Sequence, residues 1–190
     1  MTAAPSPRHD RVVDLSADQF RARMDEALGL YITAMGYPAG TSAHRAPMWS
    51  AHVLRPGWRS VGALNSADEL VGVGYGYLGA SGQWWHEQVR RGLLAAGDAA
   101  AVENWMTDYF ELTELHVHPD SQGGGLGEAL LRRLLEGAPG TSVLLSTPEG
   151  PTRAWKLYRR VGFVDVLRDY RFTGDPRPFA VLGRSLPLES

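Results

Sequence analysis

The sequence predicts an α/β fold built on one mixed sheet. Three observations carry this. Strand-like and helix-like periodicities alternate through the middle of the chain. A glycine-rich turn links a strand to a helix at Gln122–Gly127. Two strand-like runs then close the chain, from Phe163 to Phe172 and from Phe179 to Leu186.

In chain order, residues 1–10 (MTAAPSPRHD) read as a flexible tail, and 11–190 as one folded domain. Arg11–Leu15 is a short strand. Ser16 and Gln19 have capping-box spacing, and Phe20, Met24, Leu28 and Tyr31 follow at helical intervals. That predicts one helix, closed by Gly36-Tyr37-Pro38. Ser42–Leu54 is a second helical stretch, weakened by Pro47, and Pro56-Gly57 marks a turn. Arg59–Leu64 and Leu70–Leu78 are strands around the polar turn 65–68. In the second, Gly72, Gly74 and Gly76 leave one face nearly bare. Either packing or a ligand could approach it closely.

Gln83–Leu94 and Asp98–Met106 are predicted helices. Their aromatic residues Trp84, Trp85, His86 and Trp105 fit core packing or a substrate-facing wall. Tyr109–His118 is the central strand. Gly125–Glu136 is the next helix, with leucines on one side and Arg132, Arg133 and Glu136 on the other. Ser142–Ser146 is a strand. Thr152 caps a helix carrying Ala154, Leu157, Tyr158 and Val161, ended by Gly162.

Composition bounds the function. The 190 residues are 44% hydrophobic and 21% charged, with a net charge of −2. No global basic footprint points to nucleic acid. No apolar run approaches the roughly 18 residues of a membrane span, and the N-terminus lacks a signal-peptide core. A cytoplasmic location is the expectation. There are no cysteines, so disulfides, thiolate metal sites and cysteine nucleophiles are excluded together.

The turn Gln122-Gly123-Gly124-Gly125-Leu126-Gly127 is built for an anion. The first N–H groups of a helix lack internal partners, and the dipole adds about half a positive charge there. Glycines let the backbone curl around phosphate oxygens. A Walker loop would need Lys-Ser/Thr after the last glycine, but Glu128-Ala129 follows Gly127. A dinucleotide fingerprint would need a third spaced glycine, but Leu130 stands there.

Gln122-x-x-Gly125-x-Gly127, after a strand ending Leu115-His116-Val117-His118-Pro119, resembles the acetyl-CoA signature of the GNAT N-acetyltransferases. Ala154-Trp155-Lys156-Leu157-Tyr158-Arg159-Arg160-Val161-Gly162-Phe163 resembles that family's second block. The resemblance is specific from about Tyr109 to Phe163. It departs at Pro151, where many members carry a cofactor-contacting Asn.

The resemblance implies a GNAT-like single domain with a mostly antiparallel sheet flanked by helices. It implies acetyl-CoA as co-substrate, its pyrophosphate held by backbone from Gln122, Gly123, Gly124, Gly125, Leu126 and Gly127. The strand would splay at Leu115, His116 and Val117, exposing backbone to the pantetheine arm. The Leu115 N–H would polarise the thioester carbonyl, and Tyr158 would protonate the departing thiolate. The acceptor is an amine of a small molecule or peptide. Dimerisation is common among similar proteins, but no interface is legible here.

An alkyl amine is protonated at neutral pH, and holding it deprotonated costs about 4 kcal/mol. A base is therefore needed, or a wall that lowers the amine's pKa. Strand alternation groups Glu111 with Thr113, Leu115 and Val117, and Glu114 with Leu112, His116 and His118. Glu111 lies eleven residues before Gln122, the offset at which GNAT members commonly hold a carboxylate base. Glu114 is the second candidate, and His116 or His118 could act through water. The bland reading of either glutamate is a buried or edge carboxylate, and of Tyr158 a core residue.

Two readings compete. Glu114, His116 and His118 on one face could bind a divalent metal, and His118-Pro119-Asp120 resembles the start of an iron site. The same fold could also serve as a non-catalytic acyl-CoA-binding module.

Overall fold

A computed structural model describes residues 10–189. The proposed tail at 1–10 lies outside the described residues except for Asp10. Seven strands form one mixed sheet: β1 (Arg11–Leu15), β2 (Arg59–Leu64), β3 (Leu70–Leu78), β4 (Tyr109–Val117), β5 (Ser142–Pro148), β6 (Val164–Tyr170) and β7 (Phe179–Ser185). Their spatial order is β1-β2-β3-β4-β5-β7-β6. β1 pairs antiparallel with β2, and β7 antiparallel with both β5 and β6, while β4 and β5 run parallel. The helices are α1 (Ala17–Ala22), α2 (Met24–Met35), α3 (Thr41–His52), α4 (Trp84–Ala95), α5 (Ala99–Trp105), α6 (Leu126–Leu135) and α7 (Arg153–Val161).

The chain divides into two compact units, with β3 and β4 each contributing to both. In the first, Ser16 begins α1 with a complete capping box. Its hydroxyl accepts from the Gln19 amide at 3.1 Å, and its own amide donates to Gln19 Oε1 at 2.8 Å. Two orphan donors are thereby satisfied.

The single helix expected after Ser16 is two helices. Arg23, at φ −104° and ψ 14°, ends α1 and starts α2. Its guanidinium bridges Glu26 of α2, at 3.0 Å, and Asp68, donating to that carboxylate at 2.8 Å and to the Asp68 carbonyl at 3.1 Å. Pro47 sits inside α3 without ending it. Trp49 anchors that helix in the core, fully buried against Phe20 and Tyr31 at ring separations of 6.1 and 5.5 Å. α6 buries Leu130, Leu131 and Leu134, and its opposite face carries a Glu128–Arg132 ion pair.

The glycines of β3 in this unit are packing positions. A Cβ at Gly72 would overlap Leu130 of α6, and one at Gly74 would press on Leu115 and the Glu114 carbonyl.

The second unit is centred on Val89, Leu93, Tyr109, Leu144, Leu167 and Val181. α4 and α5 supply much of its aromatic content. Trp85 Nε1 donates to Ser146 Oγ at 3.0 Å, and Trp105 fills the space that glycine leaves at Gly183. Trp84 remains largely exposed. β5 runs two residues beyond the expected Ser146, because its ladder with β7 continues to Pro148↔Phe179. Thr152 caps α7 by accepting from the Trp155 amide at 3.1 Å, and Gly162 ends it in the left-handed region at φ 93°.

Candidate functional site

The glycine turn is held by its own polar groups. β4 ends at Val117, and Pro119–Ser121 forms one 3-10 turn. Gln122 Nε2 donates back to the Val117 carbonyl at 3.0 Å, which locks the turn to the strand end. Gly123 and Gly125 take φ values of 86° and 83°, which disfavour any residue with a Cβ. α6 starts immediately afterwards.

A cleft of about 480 Å³ opens against this turn, lined by Asp10, Val12, Asp120, Ser121, Gln122, Gly124, Gly125, Leu126 and Ala129. Among the described residues no Lys or Arg lines it. Attraction for an anion must therefore come from backbone N–H groups and the helix dipole. The turn fits a pyrophosphate, since a Cβ added at Gly124 or Gly125 would meet nothing within 4 Å. The space against the backbone is open, and a phosphate oxygen could enter it.

On the adjoining end of β4, His116 Nε2 lies 2.5 Å from Glu114 Oε2, with both side chains mostly buried. The imidazole also packs edge-on against Tyr31 at 5.0 Å. His118 Nδ1 accepts from the Asp120 amide at 3.2 Å. Glu114 and His116 thus share a face as alternation predicts, but they are spent on each other. Among the described residues no group of three or more His, Asp or Glu side chains is arranged to hold a metal ion.

Glu111 belongs to the second unit and is 4% exposed. It is also the last β4 residue in register with β5. Among the described residues the pairs are Tyr109↔Ser142, Phe110↔Val143 and Glu111↔Leu144, although both strands continue. The splay expected of β4 at Leu115 to Val117 lies beyond the end of this ladder.

The Glu111 carboxylate sits in a polar cluster that sequence reasoning missed. Thr113 Oγ1 lies 3.5 Å from Glu111 Oε1. The Tyr77 phenol sits beside the side chains of Glu111 and Thr113, and its hydroxyl accepts from Arg55 Nη1 at 2.6 Å. The Arg55 guanidinium also covers the Tyr77 ring at 4.6 Å. Burial first, and then the negative charge of Glu111, hold the Tyr77 phenol well above its usual range. The same two causes raise Tyr109. Both phenols therefore stay protonated and able to donate. The signal available in the sequence was a tyrosine beside the glycines of β3; Arg55 gave none.

Tyr158 is 7% exposed on α7, its ring 5.5 Å from Phe163. The helix places it inward with Val161, as the spacing predicts. His86 is buried, with Nδ1 2.9 Å from the Tyr109 hydroxyl.

Comparison with known proteins agrees with this architecture. Residues 68–165, just over half of the chain, match the model of the acetyltransferase (GNAT) domain. A GCN5-like protein acetyltransferase of Mycobacterium tuberculosis is 50% identical over 202 residues, spanning 93% of this chain and 98% of that one. A GNAT-family structure from Desulfovibrio desulfuricans superposes with a TM-score of 0.66 at 12% identity, over 94% of this chain and 99% of that one. A phosphinothricin acetyltransferase of Sinorhizobium meliloti, solved with acetyl-CoA, gives a TM-score of 0.59 at 17% identity, over 93% and 88%. The two structures show the shared fold, and the family match and the half-identical relative show the lineage: the chain belongs to the GNAT family and is an N-acetyltransferase.

Proposed function

We propose that the enzyme moves the acetyl group of acetyl-CoA directly to an amine on a protein or peptide. The observation that carries this reading is Glu111, a carboxylate 4% exposed on the last β4 residue laddered to β5. The protein acceptor is suggested by the relative at 50% identity, which is named a protein acetyltransferase.

Bound acetyl-CoA would supply an activated acyl group as a thioester. The backbone of Gln122–Gly127 would hold its pyrophosphate, and β4 backbone at Leu115, His116 and Val117 its pantetheine arm. The Leu115 N–H would donate to the thioester carbonyl oxygen as charge develops there. Glu111 would take a proton from the incoming ammonium. The free amine would then attack the carbonyl carbon, forming C–N as C–S breaks; Tyr158 would give its proton to the sulfur, and the proton lost by the acylated nitrogen would restore the phenol, leaving a neutral amide and a thiol. With no cysteine in the chain, no cysteinyl intermediate is available, which favours direct attack in a ternary complex. Glu114 is less suited to the base role because His116 already occupies it.

The test is thiol release from acetyl-CoA across lysine peptides, free peptide N-termini and small amines. Turnover is expected with the peptides. Turnover confined to small free amines would overturn the protein acceptor. Glu111→Gln should lose most activity at low pH, where deprotonation of the amine is hardest. A retained wild-type pH–rate profile would remove the base assignment.

A further inference from the structure

Glu111 poses a problem of charge. A carboxylate withdrawn from water tends to take up a proton, and a protonated carboxyl is no base. Something must keep the charged form favourable. The hydroxyls of Tyr77 and Thr113 both reach it, and neither group can itself carry the proton away at neutral pH.

Tyr77 is placed with care for so large a side chain. It is 1% exposed, on the strand beside β4, and the neighbouring residue Gly76 lets β3 approach closely. A Cβ at Gly76 would collide with the Glu111 carbonyl oxygen and the Phe110 ring. The phenolic oxygen accepts from Arg55 at 2.6 Å. A phenol that accepts from a cation is a stronger donor on its other side. The charged and titratable groups around Glu111 include Tyr77 on β3, Arg55 in the turn before β2, and Tyr109 on β4. His86 and Glu87 of α4 act in turn on Tyr109.

We infer that Tyr77, backed by Arg55, is a positioning residue that keeps the Glu111 carboxylate charged and oriented for proton acceptance. The inference rests on Glu111 being the base. Tyr77 touches neither amine nor thioester in this role; it acts through Glu111.

The experiment compares pH profiles of kcat/KM for wild type, Tyr77→Phe, Glu111→Gln and the double variant, with acetyl-CoA affinity and Tm measured alongside. Tyr77→Phe should move the acidic limb up by about one pH unit, roughly a tenfold loss at the low-pH end. The high-pH plateau and acetyl-CoA affinity should hold within about twofold. Arg55→Gln should move the limb the same way by less. Replacing Tyr77 by fluorotyrosine, a more acidic phenol of nearly the same shape, should move it down; this variant serves if Tyr77→Phe fails to fold. In the Glu111→Gln background, Tyr77→Phe should leave the profile's shape unchanged. A uniform loss at every pH, or a shift that persists without Glu111, would overturn the inference. An acidic limb intact in Glu111→Gln would remove the base reading and this inference with it. An acidic limb changed in Glu111→Gln but unmoved in Tyr77→Phe would remove only the inference.

Discussion

His86 shows how one side chain can tie stability to pH. Burial lowers its pKa below the ordinary value, outweighing the opposing pull of Glu87. Its Nδ1 is hydrogen-bonded to the Tyr109 hydroxyl at 2.9 Å, so the neutral ring has a partner where it is buried. Unfolded histidine binds a proton near pH 6.5, whereas the folded one resists it, so the unfolded state holds more protons and stability rises with pH. The contribution is present above about 6.5 and fades as pH falls from there through the lowered folded value. Wild-type Tm should drop between about pH 7 and 5, and His86→Gln should flatten that slope. Parallel slopes would mean other groups set it. Tyr158 is a separate case. Its ring packs on Phe163, so loss of the hydroxyl alone is the informative change. Tyr158→Phe should lower kcat about 100-fold while leaving acetyl-CoA affinity and Tm nearly unchanged. Equal losses in turnover and binding would point to packing.

At the scale of elements, glycine does two different jobs. On β3 it makes room for neighbouring strands and for Leu130 of α6; in the turn before α6 it leaves open space. Gly76→Ala should cost about 2 kcal/mol or more of stability, because the new methyl meets backbone that cannot yield. Gly124→Ala meets open space, so Tm should hold while the KM for acetyl-CoA rises about fivefold or more. Opposite patterns in the two variants would reverse the assignments. Most elements were legible because local chemistry sets them. Ser16 and Gln19 announce α1, Thr152 announces α7, and alternation announces β3 and β4. The break at Arg23 was not legible, since one of its two carboxylate partners, Asp68, lies far along the chain; the other, Glu26, is local. Pro47 misled for the converse reason: the missing hydrogen bond is a local cost, and burial of Trp49 belongs to the tertiary structure.

For the whole molecule, the sequence revealed the turn and the carboxylates but not what surrounds them. Gln122–Gly127 and Glu111 sit in recognisable local patterns. Thr113 shares a face with Glu111 by alternation, but Tyr77, with Arg55 bound to it, meets Glu111 only because β3 lies beside β4, a non-local pairing that no motif encodes. The parting of β4 from β5 has a consequence for solvent. β5 is laddered to β7 from Ser142 to Pro148, but among the described residues it is laddered to β4 only through Leu144. Successive amides of a strand point to opposite neighbours. In hydrogen–deuterium exchange, the amides of residues 145–147 should therefore split into alternately slow and fast sites, while Val143 and Leu144 stay slow. Uniform protection would mean the ladder closes in solution. The fast sites would be those whose amides face away from β7, so one strand would report two solvent environments residue by residue.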